Sequence, residues 1–365
     1  MNSEERYMLR AIQLSKKGLY STYPNPMVGA VIVKDGAIIG EGWHHGPGLP
    51  HAEVEALRSC RVDPAGAVMY VSLEPCNHFG RTPPCTEAII KAGIAAVKIA
   101  VADPNPEVSG GGAARLRTAG IKVEEGLVAP AALRLNREYF HHCLTGRPWV
   151  ILKAALSLDG KITANNGQSQ WITGEESRRR THCLRARAGA VMVGIGTVLA
   201  DNPRLTNRYF KPAKRQPLKV ILDSNLRLTT ESAVINENSE RLLVFCGATA
   251  SSRKEAALRR LGVLVYRQNS AGKVNIKEAL QTLGGLGVQS ILAEGGGTVF
   301  TSLMESGLVD EYYLFYAPFF IGGEAAIPVM GNPGVFSLAE TVRLEIQSIK
   351  RSGEDFLVHA FREKI

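Results

Sequence analysis

One imidazole and two thiols in this chain could together hold a metal ion. His51, Cys76 and Cys85 form the donor set of a zinc site with three protein ligands and an open position for water. Glu53, two residues past His51, is a carboxylate kept beside such a metal without having to bind it. Pro75 constrains the backbone as it delivers Cys76. One neutral imidazole and two thiolates balance two positive charges, yet leave the ion acidic enough to hold hydroxide near neutral pH.

His-x-Glu followed by Pro-Cys and a second cysteine is the arrangement of zinc deaminases, in which the glutamate shuttles protons. Glu53 would pass a proton from water to a ring nitrogen and then to the departing amine. The competing reading is a closed structural site with His78 as fourth ligand. Such sites usually bring their cysteines as Cys-x-x-Cys pairs, which this chain lacks. Elements suited to position the ligands surround them. Ala67–Leu73 reads as a strand ending at Glu74-Pro75-Cys76, a helix follows His51, and Thr86–Ala92 reads as a helix stopped by Gly93.

Eight residues separate the two cysteines, where base deaminases usually have Pro-Cys-x-x-Cys. They include His78, Arg81 and a rigid Pro83-Pro84, and the planar fork of Arg81 suits a phosphate or sugar hydroxyl. With Asn25-Pro26-Met27-Val28-Gly29-Ala30, His51-Ala52-Glu53-Val54, Leu73 to Cys85 and Asp103-Pro104-Asn105-Pro106, the chain resembles the bacterial bifunctional riboflavin-biosynthesis deaminase–reductases. The resemblance implies a phosphorylated pyrimidine substrate, with Asn25, His44, His78, Arg81, Asp103 and Asn105 lining its pocket. For Asn25 and Asn105 the residues alone favour turn chemistry, and only position separates His44 from His45. The family usually has Gly-basic-Gly where this chain has Gly110-Gly111-Gly112.

The 365 residues, 45% hydrophobic, suffice for two cores. Residues 1–146 carry 15 Lys+Arg against 14 Asp+Glu, and the remainder 28 against 20, so nearly all of the +9 excess lies in the second part. That excess suits anionic ligands, although most such charges are simply solvated. Six cysteines, two of them zinc ligands, fit a reducing cytoplasm better than a disulfide framework. Cys60, Cys143, Cys183 and Cys246 are left to ordinary packing. The start Met1 to Arg6 has no basic-then-apolar signal pattern, and Tyr312–Ile321 is too short to span a membrane and reads as a core strand.

Asp35-Gly36 between two apolar runs predicts a hairpin, and alternating strands and helices predict a three-layer α/β domain over residues 1–146, like that of cytidine deaminase. Leu144-Thr145-Gly146-Arg147-Pro148 is the expected linker to a second domain, residues 147–365. There Lys153 lies where a strand runs toward a turn, a helix carries Arg178, Arg179, Arg180, Arg185 and Arg187, and Val191–Pro203 reads as strand and loop. Ile291–Thr298 reads as a strand, a glycine-rich turn and a helix start. Such a turn can cradle a phosphate, but it is not the dinucleotide fingerprint.

In this order these segments resemble the reductase half of the same family, which implies a dihydrofolate-reductase-like fold and NADPH. Carried over by position, Ala155, Trp171, Thr197, Asp201, Ser224, Gly296, Gly297, Thr298, Val299, Phe300, Thr301 and Ser302 would contact NADPH. Ser169, Arg185, Leu205, Arg208 and Glu294 would hold the ribosylaminouracil phosphate. Lys153, Asp201 and Glu294 are the groups able to supply a proton, with Asp201 or Lys153 preferred. Core packing competes for Trp171, and a carboxylate at a helix start competes for Glu294. The resemblance also implies homo-oligomers paired through the reductase domain, with neither nucleic acid nor membrane as partner. Two other classes are a nucleic-acid base deaminase with an accessory domain and a non-enzymatic zinc scaffold. The long Cys–Cys loop and the second domain argue against the first, and a scaffold has no need of Glu53.

Overall fold

The computed structural model describes all residues except 80–82, 107–110, 210–214, 271, 332–336 and 364–365. Arg81 and Gly110 lie outside the described residues. The chain divides into two compact units, Met1–Gly146 and Arg147–Ile365.

Unit 1 runs α1 (Ser3–Ser15), β1 (Gly29–Lys34), β2 (Ala37–Trp43), α2 (Ala52–Arg58), β3 (Val68–Val71), α3 (Cys85–Lys91), β4 (Ala96–Ile99), α4 (Gly111–Thr118), β5 (Lys122–Glu125), α5 (Ala129–Leu135) and α6 (Arg137–Thr145). The sheet order is β2-β1-β3-β4-β5, antiparallel on both sides of β1 and parallel from β3 to β5. The hairpin forms where expected, with Lys34 opposite Ala37 and φ of 51° at Asp35 and 75° at Gly36. Positive φ at both central positions is the two-residue turn that matches strand twist. Alternation along β1 then builds three layers. Ala30 and Ile32 pack with Ala52, Ala56, Ile89 and Leu116 on one face, while Val31 and Val33 pack with Met8, Ile12 and Ala132 on the other.

Unit 2 runs β6 (Trp149–Leu156), α7 (Glu175–Arg187), β7 (Ala190–Gly194), α8 (Ile195–Asp201), β8 (Leu218–Leu222), α9 (Ala233–Asn236), β9 (Leu242–Cys246), α10 (Ser252–Arg260), β10 (Leu264–Arg267), α11 (Ile276–Gly285), β11 (Ser290–Gly295), α12 (Gly297–Glu305), β12 (Glu311–Tyr316), β13 (Leu344–Ser352) and β14 (Asp355–Arg362). One nine-stranded sheet has the order β10-β9-β8-β7-β11-β6-β12-β14-β13, parallel from β10 to β12 and antiparallel beyond. Val150, Leu152 and Ala154 of β6 pack with α11 and α12, and Ile151 packs with α7 and α8 on the opposite face. The fold class expected, two successive α/β domains, is the one present. Arg147 anchors the start of unit 2 through two 2.8 Å hydrogen bonds to Asp310, which also accepts from Val150 N.

Two expectations need correction. Val191–Pro203 is not strand and loop: Gly194 caps helix α8, whose Ile195 and Val198 share one buried face. Tyr312–Ile321 is not one core strand. Pairing stops at Tyr316, because Pro318 has no N–H for a ladder, and Phe319 and Phe320 are 41% and 75% exposed.

Unit 1 also shows why β2 carries glycine beneath α2. A Cβ on Gly42 would lie 2.3 Å from Ala56 N and 2.4 Å from Ala52 O. Gly42→Ala is expected to push α2 off the sheet, cost about 1–3 kcal/mol and lower zinc retention, since His51 caps that helix. Thermal melts with metal analysis of the purified variant would check this.

Candidate active sites

In unit 1 the polar groups gather past the carboxyl ends of β3 and β4 and the starts of α2 and α3. His51 is the N-cap of α2 and Cys85 the first residue of α3, while Cys76 follows the loop leaving β3. His51 Nδ1 stands 3.1 Å from Cys85 Sγ and 3.4 Å from Cys76 Sγ, and the two sulfurs are 3.5 Å apart. Cys85 N also donates to Cys76 Sγ at 3.5 Å. The hydrogen bond from the Cys85 thiol, with help from His51, brings the Cys76 thiol down to about 4. Cys85 itself is pushed up by its bond to Cys76 and by burial. Two thiolates this close in a mostly buried pocket need a cation between them, and the N/S donor set fits zinc.

Glu53 completes the arrangement. It is 3% exposed and Oε2 is buried without a hydrogen-bond partner. Burial first, then the Cys76 charge, raises its carboxyl to about 7. An unsatisfied carboxylate oxygen beside three ligands is costly unless something polar occupies the gap. His78 is exposed and lies outside the ligand cluster, so nothing among the described residues closes the site as a fourth ligand.

The neighbouring polar groups are ordered by one another. His44, 3% exposed, sits edge-on to His51 with ring centroids 5.2 Å apart. Its Nδ1 donates to Pro50 O at 3.2 Å, which leaves Nε2 to accept from Asn25 Nδ2 at 3.0 Å. Burial lowers its pKa and keeps this ring neutral. His45 instead packs on Trp43, which settles the ambiguity between the two histidines. Asp103 Oδ1 accepts from Tyr139 Oη at 2.8 Å and from Asn105 N at 2.9 Å, so Asn105 does close a turn. Burial raises the Asp103 carboxyl.

Two residues passed over in the sequence matter here. Buried Glu74 accepts from Asp103 N (3.2 Å), Gly112 N (3.1 Å) and Ala113 N (3.0 Å), tying the Cys76 loop to the Asp103 loop and the start of α4. A charge between an apolar strand and Pro-Cys was its signal. Tyr139, on α6, had none.

In unit 2 the corresponding edge is where β6, β7, β8 and β11 end. Gly296 has φ of 93°, and a Cβ on Gly295 would come within 3.0 Å of Thr197 Oγ1, so the glycine turn and Thr197 are packed together. Thr298 is exposed, but the Val299 and Phe300 side chains point into the core. The Thr301 hydroxyl is engaged by Gly297 O and Gly331 N. Those three can therefore offer a ligand little beyond backbone, and Ser302 is half-buried. Ser224 Oγ accepts from Val274 N at 3.0 Å, and Ala155 is half-buried at the end of β6. A positive-φ glycine turn opening a nine-residue helix at strand carboxyl ends fits a dinucleotide phosphate.

Beside it, Ser169 Oγ donates to Asp201 Oδ1 at 2.5 Å. Trp171 is 66% exposed with the Arg178 guanidinium 4.7 Å above its ring, so it is not a core residue. Glu294 is not at a helix start. It lies within β11 and takes two hydrogen bonds from Arg185, at 2.6 and 2.5 Å. Burial works against its ionisation, but Arg185 outweighs burial and the carboxyl sits below its usual range. Lys153 is half-buried on the same face, and burial lowers its pKa against the pull of Glu294. Arg185 also donates to Thr206 O at 3.2 Å, and Arg208 is exposed. Leu205 has φ of 55° with its side chain 2% exposed, so only its backbone can meet a ligand.

Residues 148–358 match the family described as RibD C-terminal domain, and residues 1–101 match the cytidine and deoxycytidylate deaminase zinc-binding region. The riboflavin biosynthesis protein RibD of Actinobacillus pleuropneumoniae is 42% identical over 353 residues, 96% of this chain and 93% of that one. An Acinetobacter baumannii RibD structure superposes with a TM-score of 0.90 at 38% identity, covering 99% of both chains. A Thermotoga maritima diaminohydroxyphosphoribosylaminopyrimidine deaminase/5-amino-6-(5-phosphoribosylamino)uracil reductase does so at 0.85 and 37%, again covering 99% of each.

If the three-ligand reading is right, Cys85→Ala abolishes stoichiometric zinc while leaving unit 2 intact. Metal analysis, with NADPH oxidation as the control, should show zinc falling from about one equivalent to near none.

Proposed function

The chain belongs to the RibD family of bifunctional riboflavin-biosynthesis enzymes, and on that premise we propose that unit 1 performs the deamination and unit 2 the reduction. It is a hydrolase and an NADPH-dependent oxidoreductase acting on a small-molecule substrate. The observation that carries the reading is the buried, unpartnered Glu53 carboxylate beside His51, Cys76 and Cys85.

The first reaction is hydrolysis of the exocyclic 2-amino group of 2,5-diamino-6-ribosylamino-4(3H)-pyrimidinone 5′-phosphate, releasing ammonia. His51, Cys76 and Cys85 would hold zinc, which supplies Lewis acidity and an acidified water when bound. Glu53, close to neutrality in its protonation, takes up a proton as water attacks, delivers it to the ring nitrogen, and later protonates the leaving amine. Asn25, fixed by neutral His44, and Asp103, fixed by Tyr139, are placed to orient the pyrimidine and its sugar. His78 and Arg81 complete this proposed substrate set.

The second reaction is reduction at the ribosyl C1′, opening the sugar to the ribityl chain of 5-amino-6-ribitylaminouracil 5′-phosphate. NADPH supplies the hydride. The glycine turn with Thr197, Thr298 and Ser224 would hold the cofactor, and Ala155 and Trp171 would flank it. The phosphate of the substrate falls to Arg185 and Arg208, with Ser169 and the Leu205 backbone beside them. Among the three ionisable groups, geometry favours Lys153 as proton donor. Glu294 is ionised by Arg185, and Asp201 is already accepting from Ser169, whereas burial makes the Lys153 ammonium readier to release its proton. A nucleic-acid deaminase is set aside by the family assignment.

Pairing through unit 2 is the proposed assembly, supported by exposed Ile346 and Ile349 on edge strand β13. No helix among the described residues is long and apolar enough to cross a membrane, and the six cysteines, all free, support a reducing, cytoplasmic setting.

Two experiments test these roles. Glu53→Gln should keep its zinc and its reductase activity but lose ammonia release by roughly 10²–10⁴-fold. Unchanged release would remove Glu53 from the chemistry. Lys153→Met should cut reductase kcat by about 10²-fold or more with deamination untouched. In the parent enzyme kcat should fall as pH rises through a pKa below that of an ordinary lysine, because the acid form is the donor. Stopped-flow NADPH oxidation across pH would read both.

A further inference from the structure

We propose that His182 is a positioning residue for the reductase substrate: its neutral ring, facing segment 205–209 from α7, holds Arg208 where the substrate phosphate binds. The inference rests on the reading of Arg185 and Arg208 as phosphate partners.

The segment is fastened along its length. Leu205 is buried at φ 55°, and Thr206 O accepts from Arg185 Nη1 at 3.2 Å. Asn207 exchanges two hydrogen bonds with the Gln216 side chain, at 2.8 and 2.9 Å. The backbone N–H of Arg208 donates to His182 Nδ1 at 3.3 Å, and the Tyr209 ring packs on that imidazole with centroids 4.8 Å apart. His182 is 5% exposed and stands one turn before Arg185 on the same helix. One helical face thus sets both proposed phosphate partners: Arg185 by its own side chain, and Arg208 through its backbone.

The charges explain why the ring must stay neutral. Burial, then Arg185 and Arg208, brings His182 down to about 4, with Glu294 and the Thr206 carbonyl opposing. Nδ1 therefore keeps its lone pair near pH 7 and can accept from Arg208. Arg208 makes no ion pair among the described residues. Its pKa is lowered by burial and by Arg185 and Arg204, a concentration of positive charge that an anion would relieve. Arg204 is answered by Glu237 at 2.9 Å, and Arg185 by Glu294. Arg208 is the cation left for a ligand.

The test compares His182→Phe, His182→Asn and His182→Gln. Phe keeps a ring and loses both nitrogens, Asn keeps an acceptor at the level of Nδ1, and Gln places its amide farther out. KM and kcat are measured with 5-amino-6-(5-phosphoribosylamino)uracil and with its dephosphorylated nucleoside, and ammonia release serves as the folding control. Phe and Gln should raise KM for the phosphorylated substrate about tenfold with kcat little changed, and Asn should recover most of that loss. With the nucleoside all four proteins should have the same KM. An equal rise for both substrates, or no rise, would overturn the proposal. If Phe fails to release ammonia, the Asn–Gln contrast decides alone, and equal KM values for those two would sink the idea. Arg208→Ala tests the premise separately: an unchanged KM for the phosphorylated substrate removes the phosphate reading, whatever His182 does.

Discussion

A parallel strand must end where its crossover begins, and that constraint governs where this chain can do chemistry. The carboxyl ends of β3 and β4 in unit 1, and of β6, β7, β8 and β11 in unit 2, release backbone that no longer has a ladder partner. Polar side chains collect there because the strands themselves are sealed. Ile151, Leu152, Val191 and Leu292 are wholly buried. The two units share this rule but meet it differently. In unit 1 loops and short helices bring three metal ligands together, while in unit 2 the same edge becomes a glycine turn beside an ion-paired cluster.

Both edges are stiffened by a buried carboxylate that takes no proton in the proposed chemistry. Glu74 spends its oxygens on three backbone N–H groups and so fixes the loop carrying Cys76 relative to Asp103. Glu294 spends its own on Arg185. Each is nearly inaccessible to water, where an unpaired charge would be severely destabilising, so each demands that its partners stay in place. That demand carries orientation to the neighbours that face substrate. Glu53 differs in having an oxygen left over. An unmet buried acceptor is poor architecture and useful chemistry.

Much of this was legible in the residues. The Asp35-Gly36 hairpin, the three-layer alternation and the His51, Cys76, Cys85, Glu53 group follow from short-range rules of turn chemistry, period and donor type. What escaped depended on contacts between distant segments. Val191–Pro203 hid a helix because its glycines and seven-residue length give a weak periodic signal, and only packing of Ile195 and Val198 stabilises it. Glu294 looked like a residue at a helix start because its partner stands 109 positions away. His182 was one residue in a basic helix until segment 205–209 was seen against it. Position alone carried Val299 and Phe300 into the cofactor set, where burial confines them to backbone contacts.

The triple glycine at 110–112 shows how packing and ligand contact can be separated within one motif. A Cβ on Gly112 would lie 1.9 Å from Pro75 O, against the turn that delivers Cys76, so no other residue fits without moving a zinc ligand. At Gly111 the nearest atoms to such a Cβ are those of Asn77, at 3.9 and 4.0 Å, which is ordinary contact. The fold therefore requires the last glycine and leaves the middle position free. A basic side chain there, usual in the family, would be admitted by the backbone, so its absence is no consequence of folding. Whatever such a side chain gives other members must be given to a ligand, and this chain meets that need with other groups or does without it.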